Sequence, residues 1–290
     1  AYEIGVRLVG SEMCIRDRYY NGIGLLPFLF ALIFSGLLSG FIAGLLGVGG
    51  GIIIVPILYH VLSSLGFSSE IIMHVSVATS LAIIIPTGWR SYVAHKKNNA
   101  VDFSIIKKWI VPTLIGSAIG AIIAGLISGF YLTLFFATIA LLVCIHLLTQ
   151  NDSLRIGNQL PSGFFSYNIP LLVGSFSSML GIGGGTFNVS IMSLYGVPIH
   201  KAVGTSAGLG FFLSIPGTLF FIITGLFVAN LPPGSLGYVN LLGLILIAPL
   251  AALSAPFGAK YAHSLPKKTL TRLFAIFLLF TSIRMYLELF

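Results

Sequence analysis

Apolar residues run through this chain in long blocks free of Asp, Glu, Lys and Arg, from Tyr19 to Ser69, Trp109 to Asn151, Ile156 to His200 and Ala202 to Ala259. Each exceeds the roughly 20 residues that carry a helix across a bilayer. The runs are continuous, without the alternation of polar and apolar positions that marks a membrane barrel strand, so they predict helices. The first helix is expected over Ile23 to Leu46, and Ile52 to Leu65 after it is too short to span, so it predicts a half-helix or re-entrant arm. Helices are expected next over Ile71 to Val93, Trp109 to Ile127 and Leu132 to Leu148.

Two glycine-rich stretches interrupt this pattern, Gly44-Leu-Leu-Gly-Val-Gly-Gly-Gly51 and Ser178-Met-Leu-Gly-Ile-Gly-Gly-Gly185. Each glycine costs a helix interior about 1 kcal/mol relative to alanine, so three in a row predict a break. Unwound backbone at membrane depth is tolerated only where protein or a wet cavity supplies its hydrogen bonds. The segments restarting at Ile52 and Thr186 begin with unpaired N–H groups at the positive end of a helix dipole, which suits an anion. Glycine used only for close helix packing is the alternative reading.

The second half of the chain repeats the first. Leu46-Gly-Val-Gly-Gly-Gly51 matches Leu180-Gly-Ile-Gly-Gly-Gly185, and His74-Val-Ser-Val-Ala-Thr-Ser80 matches His200-Lys-Ala-Val-Gly-Thr-Ser206. Leu132 to Ala137 and Leu270 to Ala275 share Leu-x-x-x-Phe-Ala. The expected organisation is a non-core segment over 1–21, a first transmembrane repeat over 22–149, a linker over 150–167 and a second repeat over 168–290. Within the first segment, Val9 to Arg18 reads as translated adaptor or misassigned start-site sequence and is set aside from function.

Composition agrees with a membrane protein: 57% of the 290 residues are hydrophobic and 8% charged, with a mean hydropathy of +1.04. The net charge of +8 sits mostly in short segments between apolar runs, so it reads as cytoplasmic topology signal and not as a nucleic-acid surface. Arg90, His95, Lys96, Lys97, Lys107 and Lys108 are expected to form one basic loop. In half two the loop in that place, Ala229 to Leu236, is uncharged, and Lys260, His263, Lys267, Lys268 and Arg272 cluster one connection later. If both clusters face the cytoplasm, equivalent helices run in opposite directions, which predicts inverted repeats. The fold class is therefore an all-α polytopic membrane protein with two inverted repeats and broken or re-entrant helices at the glycine motifs.

Paired Gly-x-Gly-Gly-Gly motifs, each followed by a Thr-Ser helix, resemble the TauE/SafE family of sulfite and organosulfonate exporters, over nearly everything from Ile23 onward. Pro56 supplies the proline often found after the family motif, while Ser190 replaces it in half two. The resemblance implies a multi-pass secondary transporter of the cytoplasmic membrane, moving sulfite, a sulfonate or another sulfur-containing acid.

The residues themselves point the same way. Inverted repeats place substrate near the bilayer midplane between discontinuous helices, which makes Gly49, Gly50, Gly51 and Ile52 with Gly183, Gly184, Gly185 and Thr186 the expected substrate site. Thr79, Ser80, Asn188, Thr205 and Ser206 could donate further hydrogen bonds, although membrane hydroxyls often bond their own i−4 carbonyl instead. His74 and His200 read as interfacial, and Lys201 as a snorkelling charge. No cofactor or metal set is visible: Cys14 and Cys144 lack any metal or disulfide spacing. An enzyme is disfavoured by the absence of a catalytic motif. A passive anion channel is the alternative that the sequence separates least, and a proton or other co-ion and homo-oligomeric assembly stay open.

Overall fold

The computed structural model describes residues 22–47, 49–149, 157, 160–161, 163–261 and 267–289. The adaptor-like segment and most of the expected linker lie outside these residues. Helices form wherever the apolar runs predict them, and both glycine stretches break the chain. In order, α1 spans Gly22–Leu46, α2 Gly51–Ser64, α3 Ser69–Lys97, α4 Phe103–Leu126 and α5 Gly129–Thr149. In the second half α6 spans Phe164–Met179, α7 Gly185–Leu194, α8 Ile199–Gly225, α9 Leu241–Tyr261 and α10 Lys267–Leu289. Among the described residues, six helices are long and apolar enough to cross a membrane. The only strands there are β1, Ser235–Leu236, and β2, Val239–Asn240, which pair antiparallel as a small hairpin ahead of α9.

The expected basic loop is much shorter than its charges suggested. Helix α3 continues through Arg90 and His95 to Lys97, and α4 begins at Phe103, before Lys107 and Lys108. Two capping bonds explain this: Asp102 Oδ1 accepts from the N–H groups of Ser104 at 2.9 Å and Ile105 at 3.4 Å. Capping lets a helix start four residues before a pair of lysines that a hydropathy window treats as its end.

The packing is reciprocal between halves. Helices α3 and α8 form the centre and run antiparallel, with Gly88 against Phe211, Tyr92 against Gly208 and His95 against Gly204. Around them α1 lies along α9, and α4 along α6. In the first pair Gly36, Gly40 and Gly44 meet the backbone carbonyls of Ile247, Ala251 and Ala255; in the second Gly116 and Gly120 meet those of Leu171 and Ser175. Small residues allow this approach, which is how helices associate where lipid removes the hydrophobic drive. The outward faces carry large exposed apolar side chains, among them Phe30, Phe34, Leu126, Ile245 and Phe280, as a lipid-facing surface requires.

Helices α2 and α7, of 14 and 10 residues, are the short arms. Gly51 packs beside Ser80, midway along the first part of α3, and Ser64 turns directly into Ser69. Arm α2 therefore doubles back along α3, and α7 stands in the same relation to α8.

Candidate functional site: where the two glycine breaks meet

The two breaks converge at the middle of α3 and α8. A Cβ added to Gly49 would lie 3.1 Å from Gly183 Cα, and one on Gly183 would meet Ile84 Cγ2 at 3.1 Å and Gly210 Cα at 3.7 Å. Gly50 and Gly184, with φ of 74° and 69°, are the residues immediately before the two arms. That left-handed conformation turns the chain back on itself, and glycine adopts it without the clash a Cβ brings. The first N–H groups of each arm, at Gly51 and Ile52 and at Gly185, Thr186 and Phe187, have no acceptor within their own helix.

The four Thr-Ser hydroxyls are used crosswise. Ser80 Oγ donates to Gly181 O at 2.9 Å, and Ser206 Oγ to Gly47 O at 3.3 Å and to Gly185 O at 3.3 Å. Gly47 and Gly181 are equivalent positions of the two motifs, so each half's serine holds the other half's loop. Thr79 Oγ1 accepts from Asn240 N–H and Thr205 Oγ1 from Asp102 N–H, both at 2.9 Å. Asn240 and Asp102 are in turn the residues that cap α9 and α4; Asn240 Oδ1 accepts from Gly243 N–H at 2.8 Å. A third reciprocal pair ties the last helices: Cys144 Sγ donates to Ala275 O at 3.1 Å, and Ser282 Oγ to Ala137 O at 2.8 Å. Sequence reasoning selected the threonines and serines from their duplication but missed Asp102, Asn240, Cys144 and Ser282. The signal for the caps was present in Asp-x-Ser and Asn-x-x-Gly at helix starts.

The remaining expected residues separate by half. In half one, Ile52 is 1% exposed and faces an apolar crevice with Phe136, Leu180 and Ile182. In half two the arm's first turn is polar and unsatisfied. Asn188 is fully buried with neither amide atom partnered, and Thr186 Oγ1 also lacks a partner. The amide points at the break, since a Cβ on Gly184 would lie 2.9 Å from Asn188 Nδ2 and 3.5 Å from Ser177 Oγ. Ser177, Ser178 and Thr113, all buried with unpartnered hydroxyls, extend this polar seam, and Ser117 donates to Leu213 O at 2.7 Å. In the register that aligns Gly47 with Gly181 and Asp102 with Asn240, the counterparts of these residues in the opposite half are Ala43, Gly44, Ile52, Ile54, Ala251 and Ala255. The surroundings of α7 are polar and those of α2 are apolar.

Charge lies away from this point. Arg90, Lys96, Lys97, Lys107, Lys108, Lys201 and Lys260 are all exposed. Lys96 Nζ sits 5.4 Å from the Phe103 ring centre. The Asp102 carboxyl is held below the usual carboxylate range, first by the Ser104 hydroxyl hydrogen bond. His200 is exposed, as an interfacial residue should be. His74 departs from that expectation: it is 3% exposed, its ring nitrogens lie 3.1 Å from Glu70 O and 3.0 Å from Ile127 O, and Tyr238 stacks on it at 4.8 Å. Carbonyls exposed at the neighbouring helix end and the hairpin tip cover what hydropathy left at a surface.

Helices of spanning length, two short arms and a polar seam enclosed between them define a multi-pass membrane transporter. A family model described as sulfite exporter TauE/SafE matches residues 32–285, and the chain belongs to that family. A probable membrane transporter protein of Haemophilus influenzae is 29% identical over 261 residues, 90% of this chain and 99% of that protein. Probable membrane transporter protein YunE of Bacillus subtilis is 27% identical over 277 residues, 89% of this chain and 97% of its own length. A probable membrane transporter protein of Methanocaldococcus jannaschii is 23% identical over 82% of this chain and 88% of that one. No solved structure matches the chain.

Proposed function

We propose that this chain is a secondary transporter carrying a small anion, sulfite or an organosulfonate or other sulfur-containing acid, across the cytoplasmic membrane by alternating access. The observation that carries this reading is the first turn of α7, where three N–H groups without helical acceptors meet the buried, unpartnered Asn188 and Thr186 beside the other half's glycine break. A helix N-terminus with hydrogen-bond donors converging on it favours an anion without needing a buried cation.

The two halves are inverted repeats on this reading, a disposition supported by the antiparallel run of α3 and α8 and the exchanged partners of α1, α4, α6 and α9. Gly49, Gly50, Gly51 and Ile52 close the site from one side, and Gly183, Gly184, Gly185, Thr186 and Asn188 bind from the other. Ser80, Ser206, Thr79 and Thr205 position the two loops, and their crosswise bonds exchange as the loops part. The anion enters when the Gly49–Gly183 contact separates, because in the closed site even a Cβ on Gly184 would lie only 2.9 Å from Asn188 Nδ2. Glu70 and Asp102 sit at helix starts and Glu288 near a helix end, so a coupled proton travels on the substrate or on histidine instead of through a carboxylate relay.

Flux in proteoliposomes tests the function. Sulfite, sulfate and small sulfonates are offered with and without a proton gradient; saturable sulfite or sulfonate flux, accumulated against its own gradient when protons are supplied, is expected. Flux that only dissipates its own gradient would make the protein a channel, and the absence of flux for every anion would refute the reading.

A further inference from the structure

The one-sided chemistry of the site, on the reading that an anion docks at the start of α7, says which anions fit. Arm N–H groups, the Thr186 hydroxyl and the Asn188 amide nitrogen all donate. The Asn188 amide also has an oxygen that is fully buried and lacks a donor. Whichever way the amide is turned, one of its two ends can only accept. An anion whose atoms are all acceptors satisfies the donors and leaves that oxygen bare, at the desolvation cost of an unmet buried polar group. Ile54, at the matching place in half one, is fully apolar and offers it nothing.

Charge narrows the class further. The lysines and arginines whose side chains are described are all exposed, so the positive field at the site is that of the two arm starts, each equivalent to roughly half an elementary charge. Together these balance a monoanion better than a dianion, which would enter a low-dielectric site with much of its charge unmet.

We propose that the site is built for small monoanions that carry a hydrogen-bond donor of their own, such as a hydroxy- or aminosulfonate or a singly protonated oxyanion, with the anionic group on the Gly185–Phe187 N–H groups and the donor on Asn188 Oδ1. Ser177 Oγ, buried beside Gly184 and without a partner, is a second contact for the same ligand.

Titration calorimetry on the detergent-purified full chain tests this with two anions of nearly equal size, ethanesulfonate and 2-hydroxyethanesulfonate, and with sulfite as a third probe. The wild type is expected to bind the hydroxy compound at least about tenfold more tightly, since sites made to hydrogen-bond a hydroxyl reject analogues lacking it. Asn188→Leu is expected to abolish that preference while raising the apo protein's thermal midpoint, because an unsatisfied buried amide has been removed. A purely structural Asn188 would instead lower the midpoint and leave the preference intact. Equal affinity for the two sulfonates in the wild type overturns the inference and leaves the anion site standing. Sulfite binding with neither sulfonate bound overturns it as well, and failure of all three to bind removes the anion site itself.

Discussion

At the scale of single residues, the most informative side chains are those that do the same task twice. Ser80 and Ser206 each donate to the opposite glycine loop, and removing either hydroxyl leaves a buried carbonyl unmet at a cost of about 1–3 kcal/mol. Ser80→Ala and Ser206→Ala should therefore lower the thermal midpoint of the purified protein by similar amounts, while Ser76→Ala, whose hydroxyl only returns to Ile72 O in its own helix, should change it little. Midpoints unchanged in both cross-half variants would show that the loops are held by packing alone. These serines were legible from the sequence as a duplicated pair, but their partners were not. A hydroxyl in a membrane helix bonds its own preceding turn unless another backbone comes near, and nearness is a tertiary fact. Asn188 and Thr186 were legible from their place just after the second glycine break and from the amide's donors, whereas Ser177 and Thr113 look like ordinary small helix residues.

At the scale of elements, glycine has two separate uses. Gly50 and Gly184 turn the chain at positive φ, and three consecutive glycines are enough to predict that break from local propensity alone. Gly36, Gly40 and Gly44, spaced by four so that α1 has one smooth edge, instead let it lie against α9. That edge meets the carbonyl row of Ile247, Ala251 and Ala255, and nothing in α1 says which of the chain's apolar helices supplies it. The contact is graded along the helix. A Cβ at Gly36 would sit 3.0 Å from Ile247 O, whereas at Gly40 it would overlap Ala251 O outright. Gly40→Ala should then destabilise by about 1–3 kcal/mol, as overpacking does, and Gly36→Ala by clearly less. Equal midpoints for the two variants would contradict the close α1–α9 seam. Helix boundaries were the least legible feature: α4 starts at a cap hidden among lysines, and hydropathy delayed it to Trp109.

For the whole molecule, the paired breaks were the readable part and their asymmetry was not. Repetition in the sequence predicts two like halves, and the third, fourth and fifth helices do exchange equivalent bonds. The difference between Ile52 and Thr186, or Ile54 and Asn188, gains meaning only because both arms reach the same point in space. Inverted halves require Lys96 and Lys267 on one side of the membrane. Cysteines placed at each position in turn should react with an impermeant thiol reagent from that side only; labelling from opposite sides would undo the inversion.

The central claim is that the start of α7 holds the anion, and Gly184→Ala addresses it most directly. Its new methyl would enter the space between Asn188 Nδ2, Ser177 Oγ and Leu213 Cδ1, where the anion is placed, and would strain the backbone by about 1–2 kcal/mol. Gly50→Ala is the poorer probe because its Cβ strikes the Ser39 backbone at 2.7 Å. Affinity for sulfite and thermal midpoint, measured together on the same preparation of Gly184→Ala, give the answer. The account predicts a modest loss of midpoint with affinity down at least about tenfold, since about 1.4 kcal/mol of lost contact is already a factor of ten; a well-folded variant that binds sulfite as tightly as the wild type would contradict it.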